Sequence, residues 1–217
     1  DVGKGSVAGM VAKASDRSTP IEGATIAAYQ DNSSEAADSV QTDAFGNYTM
    51  NLRAGDYTIQ ISAPGYMTFE YDVTITEDEE KYTETFLMID EGQEGQPGEA
   101  TGRIFDAVTG DGIEGVVVSL RKGWNKTDGD VVATAETDQS GRYLVQTSIG
   151  NYTVTVEKEG YVTNTRNIVV LSESMMDQNV TMNPTGQAVE NANLRVVLTW
   201  GETPRDLDSH LLGPTVD

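Results

Sequence analysis

Few side chains in this 217-residue sequence could do chemistry. It has no cysteine and a single histidine, His210, against 35 aspartates and glutamates. A thiolate nucleophile, a disulfide and a thiolate metal centre are therefore excluded. Acid–base catalysis would rest on carboxylates, and pairs of them exist at Asp106 and Asp111, Asp128 and Asp130, and Asp206 and Asp208. Catalysis also needs a base tuned toward neutral pH, a positioned nucleophile or a metal. An acidic, turn-rich chain generates such pairs by composition alone, so the sequence reads as that of a non-enzymatic protein. Asp206, Asp208 and His210 fall at alternate positions and would project from one face of an extended segment. Oxygen ligands with one imidazole could hold a divalent ion; the competing reading is an Asp-rich turn with His210 at a strand start. The loop Thr127-Asp128-Gly129-Asp130 could take calcium but lacks the full ligand spacing of a calcium loop. Nothing calls for another cofactor.

Binding chemistry points to the two tryptophans. Trp124 lies in Gly123-Trp124-Asn125-Lys126, and an indole exposed on a loop is a stacking surface for a sugar or for a partner's apolar group. The alternative is that Trp124 folds back over the open edge of its own domain. Trp200 closes an alternating run in which Leu194, Val196, Leu198 and Trp200 share one face, making it the second candidate partner-binding residue. Asn32, Asn47, Asn125, Asn151 and Asn179 each begin an Asn-x-Ser/Thr sequon, five of eleven asparagines. Those on turns would be glycan acceptors in a glycosylating host.

The formal net charge is −21, from 14 Lys and Arg against 35 Asp and Glu. Such a surface repels phosphate backbones and anionic headgroups, so nucleic acid is excluded as an expected partner. No apolar run approaches the roughly 18 residues that cross a bilayer, so direct membrane insertion is not expected. An acidic surface suits a soluble extracellular protein and can recruit cations.

The elements that must position these residues come from an internal repeat. Ile21-Glu22-Gly23-Ala24 returns as Ile113-Glu114-Gly115-Val116, and Thr42-Asp43-Ala44-Phe45-Gly46-Asn47-Tyr48 as Thr137-Asp138-Gln139-Ser140-Gly141-Arg142-Tyr143. Gly55-Asp56-Tyr57-Thr58-Ile59 matches Gly150-Asn151-Tyr152-Thr153-Val154, and Gly65-Tyr66 matches Gly160-Tyr161. Gly46 and Gly141 supply the positive φ of a tight turn, and the Asp before each can bond the turn backbone. Tyr57, Ile59 and Ile61 alternate with polar residues, as do Tyr152, Val154 and Val156, which predicts half-buried strands. Ala24, Ile26 and Ala28, like Val116, Val118 and Leu120, line one face of an earlier strand; Val73 and Ile75, like Ile168 and Val170, line a later one. The second copy is three residues longer between its first two blocks, near Trp124. We therefore expect an all-β protein: two tandem seven-stranded Greek-key sandwiches plus a partial third β segment.

The expected boundaries are 1–89 for the first sandwich, 90–99 for an acidic Gly- and Pro-containing linker, 100–184 for the second sandwich, and 185–217 for a further linker and the opening hairpin of an incomplete domain. The linker is expected to set a defined but not rigid angle. A two-stranded hairpin is marginal alone, so the last segment is expected to complete a sheet, either of a continuation or of another molecule by strand addition.

The order Gly-x-Val/Ile, Ile-Glu-Gly-Ala/Val, Thr-Asp-x-x-Gly-x-Tyr, Gly-x-Tyr-Thr-Val/Ile and Gly-Tyr resembles the carboxypeptidase regulatory-like domains. These are transthyretin (prealbumin)-like sandwiches related in shape to collagen-adhesin B-type repeats. The tail Leu198-Thr199-Trp200-Gly201-Glu202-Thr203-Pro204-Arg205-Asp206-Leu207-Asp208 resembles the opening of a sandwich module of bacterial surface proteins. The resemblance implies the fold, and it implies an extracellular or cell-surface protein. The expected role is structural, a spacer or stalk module that could assemble into a fibre through other surface proteins or copies of itself. The alternatives are a module that binds glycans or proteins and the accessory domain of a secreted hydrolase. Collagen-adhesin repeats often carry a Lys–Asn isopeptide bond, but Arg103 stands where a first-strand lysine is wanted and Tyr82 to Met88 contains no asparagine.

Overall fold

The computed structural model describes residues 3–30, 33–93, 95–172 and 178–185, and these are all-β. A single 3-10 turn at Glu91–Gln93 is the helical exception among the described residues. The first sandwich comprises β1 (Lys4–Lys13), β2 (Thr25–Gln30), β3 (Asp38–Gln41), β4 (Asn47–Arg53), β5 (Gly55–Ser62), β6 (Phe69–Ile75), β7 (Glu80–Tyr82) and β8 (Phe86–Met88). The second comprises β9 (Pro97–Asp106), β10 (Val117–Lys122), β11 (Ala133–Glu136), β12 (Arg142–Ser148), β13 (Gly150–Glu157), β14 (Asn164–Val170) and β15 (Val180–Met182).

One sheet of the first sandwich runs β4-β1-β7, with β8 also on β1, and the facing sheet runs β3-β2-β5-β6. The second sandwich repeats the plan as β12-β9-β15 facing β11-β10-β13-β14. Alternation sets the faces: Tyr57, Ile59 and Ile61 on β5 and Tyr152, Val154 and Val156 on β13 are buried, as are Ala24, Ile26, Ala28, Val116, Val118 and Leu120. Val73, Ile75, Ile168 and Val170 close the cores from the neighbouring strands. Period-two burial on an antiparallel strand is what packing one face against a second sheet requires.

The repeated sequence blocks are physical partners across each sandwich. The Thr42 hydroxyl donates to the Ile21 carbonyl at 2.7 Å and accepts from the Ala24 amide at 2.9 Å. Thr137 does the same between Ile113 at 2.6 Å and Val116 at 2.8 Å. Each threonine thus satisfies two backbone groups that no sheet neighbour reaches, which couples the Ile-Glu-Gly and Thr-Asp blocks. One residue on, an Asp43 carboxylate oxygen accepts from the amides of Phe45 and Asn47, and one of Asp138 from those of Ser140 and Arg142. Those turns close at Gly46 (φ 76°) and Gly141 (φ 80°), where a Cβ would lie 2.4 Å from the carbonyl oxygens of Val11 and Ile104. The Tyr48 ring fits because Gly9 faces it, and Tyr143 fits opposite Gly102. Their hydroxyls reach Thr83 Oγ1 at 2.8 Å and the Gln178 carbonyl at 2.6 Å. Burial raises the Tyr48 phenol and pushes the Tyr143 phenol up to about 12.

The two copies diverge where β2 and β10 hand over to the next strand. Ten residues separate β10 from β11 against seven between β2 and β3. The segment predicted as linker carries the 3-10 turn and gives way to β9 at Pro97. Residues up to Thr185 form one compact unit containing both sandwiches.

Candidate functional site

The added length between β10 and β11 builds the joint between the sandwiches. After Lys122 the loop is pinned to its own sandwich: the Gly123 amide donates to the Asn151 carbonyl at 2.7 Å, and Thr153 Oγ1 donates to the Gly123 carbonyl at 2.8 Å. The Lys126 amide returns to Thr153 Oγ1 at 2.9 Å. Asn125 bends the chain between them with φ 57°, a left-handed conformation asparagine tolerates better than most residues. Its amide donates to Asn167 Oδ1 at 2.9 Å. Such pinning fixes the direction of the Trp124 side chain before any partner is met.

Trp124 spans the boundary. Its indole N–H donates to the Ile168 carbonyl of its own β14 at 3.0 Å. Its ring packs into the first sandwich, edge-on to Phe69 at 4.9 Å between centroids and tilted against Phe86 at 6.1 Å. Phe69 and Tyr71 both meet Phe86 edge-to-face, at 5.5 and 5.0 Å. Offset and edge-on geometries place positive ring edges on negative faces, adding to the apolar burial. Only 2% of Trp124 remains exposed, and Ile149 and Val169 of the second sandwich join the same hydrophobic cluster, at 3% and 1%. A backbone bridge between Tyr71 and Trp124 continues the contact along the β6 edge.

A polar rim surrounds this centre. Asn125 Nδ2 donates to the Asp72 carbonyl at 3.3 Å, and Asn167 Nδ2 to Glu84 Oε1 at 3.1 Å. The Lys126 ammonium pairs with the Asp72 carboxylate, the two side chains 32% and 41% exposed. An ion pair so hydrated contributes less than about 1 kcal/mol. The aromatic centre, not the rim, holds the joint, the usual division in a protein interface.

Trp124 is therefore not an exposed stacking surface: its N–H folds back on the β14 edge of its own sandwich while its ring completes the core of the neighbouring one. The physical reason is the ring of Phe69, Tyr71 and Phe86, whose exposed edge would otherwise face water. Nothing in the local sequence pattern singles out those three residues. The signal that finds them is a comparison of the two copies, since the second carries Asn164, Arg166 and Val180 at the same places.

Asp206, Asp208, His210 and Trp200 lie outside the described residues. Asp106 caps a turn, accepting from the amides of Val108 at 2.7 Å and Thr109 at 3.0 Å and from the Tyr161 hydroxyl at 2.8 Å. Asp128 and Asp130 are exposed on the long loop. Among the described residues no group of three or more His, Cys, Asp and Glu side chains is placed to share a metal ion. No helix among them is long and apolar enough to cross a membrane. Among the sequon asparagines, the Asn125 amide is bonded at both ends within the joint, and Asn151 Oδ1 is buried without a hydrogen-bond partner among the described residues.

The sequence matches the family described as carboxypeptidase regulatory-like domain over residues 6–88 and 100–183. Bacillopeptidase F of Bacillus subtilis (strain 168) is 28% identical over 116 residues, which is 54% of this chain and 7% of that protein. The chain thus spans a small fraction of that relative's length. Among solved structures, the Bacillus anthracis TIE protein is similar at 17% identity and a TM-score of 0.34, over 84% of this chain and 34% of that one. The minor pilin GBS52 of Streptococcus agalactiae gives 16% and 0.34, over 91% and 100%. The shaft pilin spaA of Lactobacillus rhamnosus GG gives 15% and 0.32, over 86% and 99%.

Proposed function

This chain belongs to the carboxypeptidase regulatory-like domain family along both of its sandwiches, and from that premise we propose that it is an extracellular structural module, a spacer that holds whatever it carries at a fixed distance and angle. The observation that carries this reading is Trp124, buried between two sandwiches that share one hydrophobic cluster. Two domains on a flexible tether sample many orientations; two domains with an aromatic side chain of one inside the core of the other do not. The net charge of −21 favours a soluble, self-repelling surface over non-specific adhesion. The spacer presents no stacking indole at Trp124, because the joint has consumed it.

Surface plasmon resonance of the whole chain against a panel of glycans and matrix proteins tests the reading. A spacer gives no saturable binding; saturable binding with Kd below about 100 µM would replace this reading with that of a binding module. A second reading, the accessory part of a larger hydrolase, is supported by the 116-residue similarity to Bacillopeptidase F. It is checked by the parent sequence, which would then contain a catalytic domain.

A further inference from the structure

The two sandwiches share a plan, yet each half of their joint occurs once. Strand register sets the equivalence: β5 places Ile61 and Ile59 opposite Phe69 and Tyr71, and β13 places Val156 and Val154 opposite Asn164 and Arg166. Likewise Val11 pairs with Phe86 and Ile104 with Val180. The aromatic socket Phe69, Tyr71 and Phe86 of the first sandwich is thus Asn164, Arg166 and Val180 in the second. There Asn164 Nδ2 donates to the Thr181 carbonyl at 3.0 Å, and the Arg166 guanidinium to the Asn179 carbonyl at 2.6 Å and Gln178 Oε1 at 3.2 Å. An indole seated there would displace these hydrogen bonds and offers no acceptor to replace them.

The plug is equally one-sided. Ile149 and Val169 correspond to Ala54 and Thr74, and the first sandwich's counterpart of the Trp124 loop, residues 31–37, contains no aromatic residue.

We infer that the Trp124 joint is an order-specific lock that closes once: the first sandwich receives the second, and the second cannot receive another plug of this kind. Complementary halves that differ between otherwise alike modules are a specificity device, since the polar residues of the wrong socket penalise the wrong pairing. The consequence for a spacer is a rigid two-sandwich unit rather than a rod propagating by this contact. Only that consequence rests on the structural reading. The test reads assembly size, so discovery of a ligand would leave the lock standing.

The lock is tested by separating plug from socket in two full-length chains. The first, Trp124→Asp with Ile149→Asp, keeps the socket and loses the plug; both side chains face the joint, outside the second sandwich's own core cluster. The other, Phe69→Asn with Tyr71→Arg, keeps the plug and gives the first sandwich the residue types of the second. Sedimentation equilibrium is run up to about 1 mM, the order of effective concentration a short linker supplies. Each variant alone should remain monomeric, and the mixture should form a 1:1 complex and nothing larger. Assembly of the socketless variant alone, as strong as in the mixture, would show that the second sandwich accepts the plug and would overturn the lock. Absence of a complex in the mixture would overturn the assignment of the joint to these residues. If circular dichroism shows that a double variant has lost its β structure, the single variants Trp124→Asp and Tyr71→Arg are compared in its place.

Discussion

Truncating Trp124 to alanine is the perturbation with the largest calculable effect. A buried indole removes about 200 Å² from water, which at about 25 cal/mol per Å² is about 5 kcal/mol. Extended-chain bookkeeping overstates this, because a real unfolded chain already covers part of the ring. The edge-on contact with Phe69 adds about 1 kcal/mol, and the hydrogen bond from the indole N–H to the Ile168 carbonyl about 1 kcal/mol net. Ile149 and Val169 stay in place and retain some of the seam. With the burial term cut to about 3 kcal/mol, a net loss of about 5 kcal/mol follows, at the top of the range of about 3 to 5 for large aromatic truncations. That loss falls on the joint, because the ring belongs to the second chain segment and its cavity to the first. Urea unfolding followed by far-ultraviolet circular dichroism should therefore change in shape as well as midpoint. The wild type should unfold in one cooperative step, and Trp124→Ala in two, the first sandwich leaving at lower urea. Lys126→Ala, which removes only the rim ion pair, should shift the midpoint by less than about 1 kcal/mol equivalent. If Trp124→Ala costs less than about 1 kcal/mol and the curve keeps its single step, the reasoning that the indole is a shared core residue is wrong.

Further outcomes follow from other parts of the structure. Thr42→Val and Thr137→Val each leave a buried amide and carbonyl without their partner and should each cost about 2 to 4 kcal/mol in thermal or chemical unfolding; a neutral substitution would mean that water replaces the hydroxyl. Tyr143 has its folded-state pKa pushed up to about 12, so the folded state holds a proton that the unfolded chain releases near 10. Its contribution is complete below about pH 10 and is lost as pH rises toward about 12, and near-ultraviolet absorbance should show this phenol ionising only with unfolding. Raising salt to about 1 M should leave the small-angle scattering profile unchanged, because the joint is apolar and its ion pair marginal; an expanded profile would shift the joint to the Lys126–Asp72 pair.

How far the sequence foretold this molecule depends on which forces act within one strand and which act between strands far apart. Alternation at Tyr57, Ile59 and Ile61 was legible because a strand packed on one face must bury every second residue. The turn at Asp43 to Gly46 was legible because its bonds run two to four residues along the chain. Trp124 was not. Its loop length and unusual composition marked it correctly as distinctive, but its environment comes from Phe86 on β8 and Phe69 on β6, 38 and 55 residues upstream, and no local rule carries that distance. Phe69, Tyr71 and Phe86 each fit a strand, so no local pattern sets them apart from ordinary core. Only their joint excess over Asn164, Arg166 and Val180 reveals that one copy needs an aromatic end and the other does not.

That contrast bears on why the joint took this form. If both sandwiches carried a plug and a matching socket, the contact would be heterologous and could repeat head to tail without closing. The joint avoids this by concentrating the apolar surface in a single matched pair and filling the equivalent place with groups already bonded at home, as Arg166 is to Asn179 and Gln178. The exposed edge of β14 is guarded in the same way, since a guanidinium and the Asn164 amide occupy the space where a second indole would enter. Rigidity within the pair and the absence of further growth by this contact then arise from the same few substitutions, Phe69 against Asn164 and Tyr71 against Arg166, rather than from any change of fold.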